Sequence, residues 1–305
     1  MMRALFFLVV LSGCGASAPP IRPPADTSAR LYFDGKLQRV PLLHARVGGR
    51  ETLAILDSGA EAHLAAGWLV DQLALRTEAS AATTIDPSGR TTPLRALADA
   101  AFELEGLGAW QDDELMVAEL PEVFRQIGIG LILSPQRLVD AGVALVIDFP
   151  ARTLWREPEA RALERLGDDG RRLPEPKACV GARARAGAQL FIVDATIEGQ
   201  PIRLTLDTGA DATLLTTASP VARELMRSYR TTAESAWSAG GEVVMRRTPP
   251  LDIHAGELHV TRAIPILSSD APAGCGQDGQ LGLDVLRRCL VVVSPARAGA
   301  RCPAL

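Results

Sequence analysis

Two stretches of this chain set an aspartate directly after an apolar run and directly before a hydroxyl residue, a glycine and an alanine. They are Leu53-Ala54-Ile55-Leu56-Asp57-Ser58-Gly59-Ala60 and Ile202-Arg203-Leu204-Thr205-Leu206-Asp207-Thr208-Gly209-Ala210, with the two aspartates 150 positions apart. Hydrolysis of an amide needs a base to activate water and an acid to protonate the leaving nitrogen. Two carboxyls held in contact cannot both ionise easily, so they share one proton, and a single pair can fill both roles. One Asp-Thr-Gly alone is the composition of an ordinary turn. Two copies in matching strand contexts make Asp57 and Asp207 the candidate catalytic residues.

The elements that must position them are also duplicated. At the same shift of 150, Val40 to Gly49 falls on Leu190 to Gly199, and the match runs without a gap to Leu64 on Leu214. Each copy reads as apolar strand, glycine-bearing turn, apolar strand, then the Asp motif. A short helical pattern follows in each half, at Ala65 to Leu75 and at Pro220 to Tyr229, the second with Ser219 as N-cap and Pro220 at the first helical position. Next come two polar hairpins, Thr84 to Thr92 with Pro87-Ser88-Gly89 at its tip, and Ser235 to Val243 with Ala239-Gly240-Gly241. Strand-like segments continue each half, Ala100 to Leu104 with Glu114 to Ala118, and Leu251 to His254 with Leu258 to Leu267. The copies close with Gly130 to Leu138 and Gly279 to Leu286, leading to final apolar strands at Ala144 to Phe149 and Leu290 to Val293. Between the halves, residues 156–177 are dense in Arg, Glu, Asp, Gly and Pro and read as an exposed linker with a helical turn or two.

This pattern resembles the aspartic peptidases, most closely the bacterial retropepsin-like ones, over residues 31–155 and 178–303. The motifs that carry it are the two Asp-Ser/Thr-Gly-Ala stretches and Gln280-Leu281-Gly282 before the last helix. The resemblance implies an all-β protein of two pseudo-symmetric retropepsin-like barrel lobes in a pepsin-like arrangement, with Asp57 and Asp207 meeting over one water and no cofactor. Ser58, Gly59, Ala60, Thr208, Gly209 and Ala210 would form the supporting loops, the two hydroxyls bracing one loop against the other. The hairpins would be flaps, with Ser88, Gly89, Trp237, Gly240 and Gly241 as their candidate residues. Trp237 reads equally as a cover over substrate or as a structural aromatic. Two features depart from the family. Leu133 or Ser134 stands where the first half should have its packing glycine, and neither flap carries a tyrosine, since the only two are Tyr32 and Tyr229. Asp284 reads as the N-cap of the short helix that follows Gly282.

The rest of the chain narrows the alternatives. With 305 residues, 47 % hydrophobic and 22 % charged, and a net charge of −4, the composition suits two compact domains and offers no basic surface for nucleic acid. His44, His63, His254 and His259 are scattered, with His254 and His259 either side of a hairpin turn. Neither they nor the cysteines have the clustered spacing of a metal site. No serine-nucleophile elbow or phosphate-binding glycine loop occurs.

The N-terminus, Met1-Met2-Arg3 followed by Ala4 to Leu11, has the charged start and apolar body of a secretory signal and is too short to span a bilayer. Leu11-Ser12-Gly13-Cys14 resembles the bacterial lipobox. That implies a signal peptide over 1–13, lipidation at Cys14, a Pro-rich tether over 14–30 and an exported lipoprotein, with Gly15 favouring the outer membrane, facing periplasm or cell surface. Cys179, Cys275, Cys289 and Cys302 remain, an even number that suggests two disulfides with three possible pairings. Cys289 and Cys302 flank a strand and turn and can face each other across a hairpin, leaving Cys179 with Cys275.

These readings lead to an endopeptidase acting on peptide or protein substrates as a membrane-tethered monomer. Two others remain open: a catalytically silent envelope protein that binds peptides or scaffolds on the same fold, and a dimer in which each lobe pairs with its own copy.

Overall fold

The computed structural model describes residues 28–33, 40–85, 89–98, 101–111, 115–167, 172–180, 189–238, 240–269 and 274–303. The expected signal peptide, Cys14, the tether up to residue 27, and Ser88 lie outside these residues.

The described chain is mostly β, in three sheets. A nine-stranded sheet is built from residues 42–133 and an eight-stranded sheet from residues 177–281. Alternation sets the first strands. In Leu42–Val47 the side chains of His44 and Arg46 point to solvent while Leu43, Ala45 and Val47 are buried, the period-two pattern of a half-buried strand. That strand turns through Gly48 and Gly49, both at positive φ, into Arg50–Leu56. The second half makes the same two-residue turn through Glu198 and Gly199, also both at positive φ, between Leu190–Ile197 and Gln200–Leu206. Consecutive positive φ values match the twist of a tight hairpin, which is why glycine recurs there.

Beyond these hairpins, each strand that leads to an aspartate pairs in parallel with a strand from far along its own half. Arg50–Leu56 lies beside Ile129–Leu133, and Gln200–Leu206 beside Gly279–Leu281. Each of these partners in turn pairs antiparallel with the strand following the aspartate loop, Leu64–Ala66 or Leu214–Thr216. The aspartate loop is thus gripped on both sides by one short strand.

Several boundaries differ from those read in the sequence. The helix expected from Ala65 is shorter, Gly67–Gln72, because Ala65 and Ala66 are buried in strand pairing with Val117 and Ala118. A strand at Gly108–Gln111 was not foreseen; Gly106 at positive φ turns the chain back so that it pairs with Ala101–Leu104. The helix Pro220–Ser228 begins as expected, with Ser219 Oγ accepting from the amide of Ala222.

The third sheet joins the two halves. Its five strands run in the order Ser28–Arg30, Thr153–Pro158, Val143–Asp148, Leu290–Val293 and Ala298–Arg301. The central pairing sets Leu145 opposite Val293 and Asp148 opposite Leu290, so the final apolar strand of each copy is the other's neighbour. The start of the expected linker lies within this sheet: Glu157 is buried, and the helix Glu159–Glu164 packs on the sheet through Ala162, with Leu166 beyond it. A separate, larger apolar core runs from Ala29 to Cys302 and contains Leu56, Leu133, Leu206 and Leu281, so the aspartate loops rest on it directly.

Both disulfides form as read. Cys289 and Cys302 join the ends of the last hairpin, and Cys179 and Cys275 tie the edge strand Lys177–Cys179 to the loop before Gly279–Leu281.

Candidate active site

Asp57 and Asp207 stand at the ends of their strands, each with its backbone amide held by the parallel neighbour: Asp57 donates to the carbonyl of Leu133 at 2.8 Å and Asp207 to that of Leu281 at 3.1 Å. Within each loop the carboxyl turns back on the chain. Oδ1 of Asp57 accepts from the amide of Gly59 at 2.8 Å; Oδ1 of Asp207 accepts from Gly209 at 2.8 Å and from Ala210 at 3.0 Å. Such local bonds are what an Asx turn makes anywhere. What differs here is the partner loop.

The loops are interlocked through Ser58 and Thr208, both fully buried. Ser58 Oγ donates to the carbonyl of Leu206 at 2.7 Å and accepts from the amide of Thr208 at 3.0 Å. Thr208 Oγ1 donates to the carbonyl of Leu56 at 2.8 Å and accepts from the amide of Ser58 at 3.0 Å. A hydroxyl is the one small side chain that can donate and accept at once. Two of these four buried bonds pin the residue before each aspartate to the residue after the other, and two join Ser58 to Thr208 directly.

The glycines complete the contact. A Cβ on Gly59 would come within 2.6 Å of Asp207 Oδ2, and one on Gly209 within 2.4 Å of Asp57 Cγ. Each loop backbone therefore lies against the opposite carboxyl. Burial raises the carboxyl pKa of Asp57 above its ordinary value. At Asp207, burial and then the charge of Asp57 raise it well above that value. Both shifts follow from removing a carboxylate from water, and the second adds the cost of a like charge alongside.

Polar residues with no role at the aspartates in the sequence pattern hold this arrangement from below. Gln280, on the strand beside Gln200–Leu206, donates its side-chain amide to Oδ2 of Asp207. The buried Gln136 donates to the carbonyls of Ala60 and of Gln189, both at 3.0 Å. The signal available for both was a glutamine within or just after an apolar run.

Asp284 is a correction. It is not the N-cap of its helix, which is Gly282; its Oδ1 instead accepts from the amide and hydroxyl of Thr213 at 2.7 and 2.8 Å, and Thr213 Oγ1 accepts from the amide of Gly282. In the first half, Ser134 takes the place of that glycine and His63 that of Thr213, with His63 Nδ1 accepting from the amide of Ser134 at 3.0 Å. The floor of the first loop, where Ser134 stands in place of the glycine, is rebuilt around an imidazole.

Of the candidate flap residues, Gly89 and Gly241 adopt positive φ at their hairpin tips. The tips touch: Arg90 donates its guanidinium to the carbonyl of Gly240, and Gly241 faces the same guanidinium. Trp237 pairs with Glu242 across its hairpin, and its side chain lies outside the described residues. His254 and His259 stack on the exposed hairpin turn at 4.2 Å, away from these loops.

Residues 193–285 match the family model described as aspartyl protease. The match supports an aspartic protease family for this chain. It takes in Asp207, Thr208, Gly209 and Gln280 and stops short of Asp57. No curated protein matches the chain.

Proposed function

We propose that this chain is an aspartic endopeptidase in which Asp57 and Asp207 act as one catalytic pair, set between two pseudo-symmetric retropepsin-like lobes. The observation that carries the reading is the reciprocal contact of the loops: each glycine lies against the other loop's carboxyl, and Ser58 and Thr208 exchange hydrogen bonds across them. Two turn aspartates with no shared task would have no reason to be set against one another's loops, where like charge opposes folding.

In the proposed reaction Asp207 holds the shared proton and Asp57 is ionised, in keeping with the larger upward shift at Asp207. Asp57 takes a proton from water as the water oxygen bonds to the scissile carbonyl carbon, and Asp207 gives its proton to the carbonyl oxygen. The resulting diol returns one hydroxyl proton to Asp207 as the carbonyl reforms. Asp57 passes its proton to the nitrogen as the carbon–nitrogen bond breaks. The pair ends with one proton, as it began. The substrate would lie extended beneath the hairpin tips, adding a strand to their edges.

We further propose that the protein is exported, lipidated at Cys14 and tethered to the outer membrane as a monomer. The lipobox-like Leu11-Ser12-Gly13-Cys14 supports the anchor, and two disulfides suit an oxidising compartment. The bonds between the Asp57 and Asp207 loops lie within one chain, which favours pairing inside the monomer over pairing between copies.

A peptide-library digest by the purified protein, with and without a pepstatin-type inhibitor, tests the activity. Internal cleavage that the inhibitor suppresses is expected. Peptide binding without cleavage by folded protein would favour the silent scaffold instead.

A further inference from the structure

The two aspartate loops are close copies, but the strands beneath them differ at one position. In the parallel registers Gln280 lies opposite Thr205 and Ile132 opposite Ile55. Each immediately precedes the residue whose carbonyl receives the aspartate amide, Leu281 or Leu133, so Gln280 and Ile132 are counterparts. Ile132 is buried in an apolar cluster with Ile55 and Leu64. Gln280 instead directs its amide to Oδ2 of Asp207. Because Oδ1 of Asp207 already accepts two backbone amides, Gln280 supplies the third N–H donor to this carboxyl. An N–H held against a carboxylate oxygen favours its charged form and fixes its orientation.

We propose that Gln280 is a positioning residue that orients Oδ2 of Asp207 and sets the pH at which the carboxyl pair surrenders its shared proton, and with it the alkaline edge of activity. Only the activity part of this inference rests on the peptidase reading. The groups facing Asp207 are the Asp57 carboxyl from the opposite loop, the amides of Gly209 and Ala210 from its own loop, and Gln280 from the strand below. Of the acidic residues that continue the two loops, Glu61 and Asp211, Glu61 is raised by its own burial rather than by either aspartate.

The test follows the aspartate carboxyl carbons by NMR across pH in the mature protein and in Gln280→Met and Gln280→Glu, with kcat/KM measured over the same range. Gln280→Met keeps the length of the side chain and removes the donor; the upper carboxyl titration should rise by about one pH unit, and the alkaline limb of kcat/KM should move with it while the acid limb stays. Gln280→Glu should raise it further, since a third acid replaces the donor. In the unmodified protein, the Gln280 side-chain amide signal should titrate together with the pair, a readout independent of whether either variant folds. An amide that ignores that titration, or a carboxyl titration unmoved in the folded variants, would overturn the proposal. If the carboxyl titration shifts while the unmodified protein cleaves nothing, the role of Gln280 stands and the peptidase reading falls.

Discussion

Glycine is required at 59 and 209 by what faces it, not by its own backbone angle. A methyl group at either position would enter the opposite carboxyl at 2.4 to 2.6 Å, well inside van der Waals contact. Gly59→Ala and Gly209→Ala should each lower kcat/KM by about 100-fold or more, because displacements of the order of an ångström at reacting groups carry that penalty. Steady-state kinetics beside a thermal melt would separate this from unfolding. Replacing the acid should do the reverse to stability. The folded pKa of Asp207 is raised, so the folded state binds its proton more tightly than the unfolded chain does. The contribution of Asp207 to stability is then fully present below the ordinary value of 3.8 and is lost as pH rises through the folded pKa. Asp207→Asn should therefore melt at a higher temperature than the unmodified protein at pH 7, with the difference closing near pH 4. The motif residues were legible because type and spacing repeat. Gln280, Gln136 and His63 were not, because each acts on a loop some 70 residues away and nothing local in the sequence marks that contact.

At the scale of elements, the floor beneath each loop explains where the two halves part. Gly282 packs so closely on the 212–213 backbone that a Cβ would lie 2.4 Å from the carbonyl carbon of Ala212, whereas Ser134 fills the equivalent place in the first half. Gly282→Ser should consequently destabilise the protein by about 1–3 kcal/mol, the range for forcing atoms into a packed site, and Ser134→Gly by less. Urea denaturation would measure both. A missing glycine could be read directly from the sequence. That an imidazole replaces the Thr213–Asp284 pair could not, since it depends on which side chains meet after the parallel strands have closed. Strand existence was legible from alternation and from the glycine turns. The strand Gly108–Gln111 was not, its only partly buried residue being Trp110.

At the scale of the whole molecule, the two halves are held by more than the loops. The final strands pair across the five-stranded sheet, and one core continues beneath both aspartates. The sequence offered two equivalent apolar strands but no indication that they pair with each other, because antiparallel partners of this kind share no pattern beyond being buried. The disulfides were readable from cysteine number and placement. Cys179–Cys275 spans 96 residues, so removing it as Cys179→Ala with Cys275→Ala should cost about 2–4 kcal/mol, more than removing the 13-residue Cys289–Cys302 closure in the chain-entropy account. Denaturant midpoints of the two double variants would rank them.

The central claim is that one carboxyl from each half makes one site, and the most direct measurement is internal peptide cleavage by Asp57→Asn and Asp207→Asn, each checked for folding by its melt. Both variants should remain folded and both should lose cleavage. Full activity in either one would contradict a shared pair.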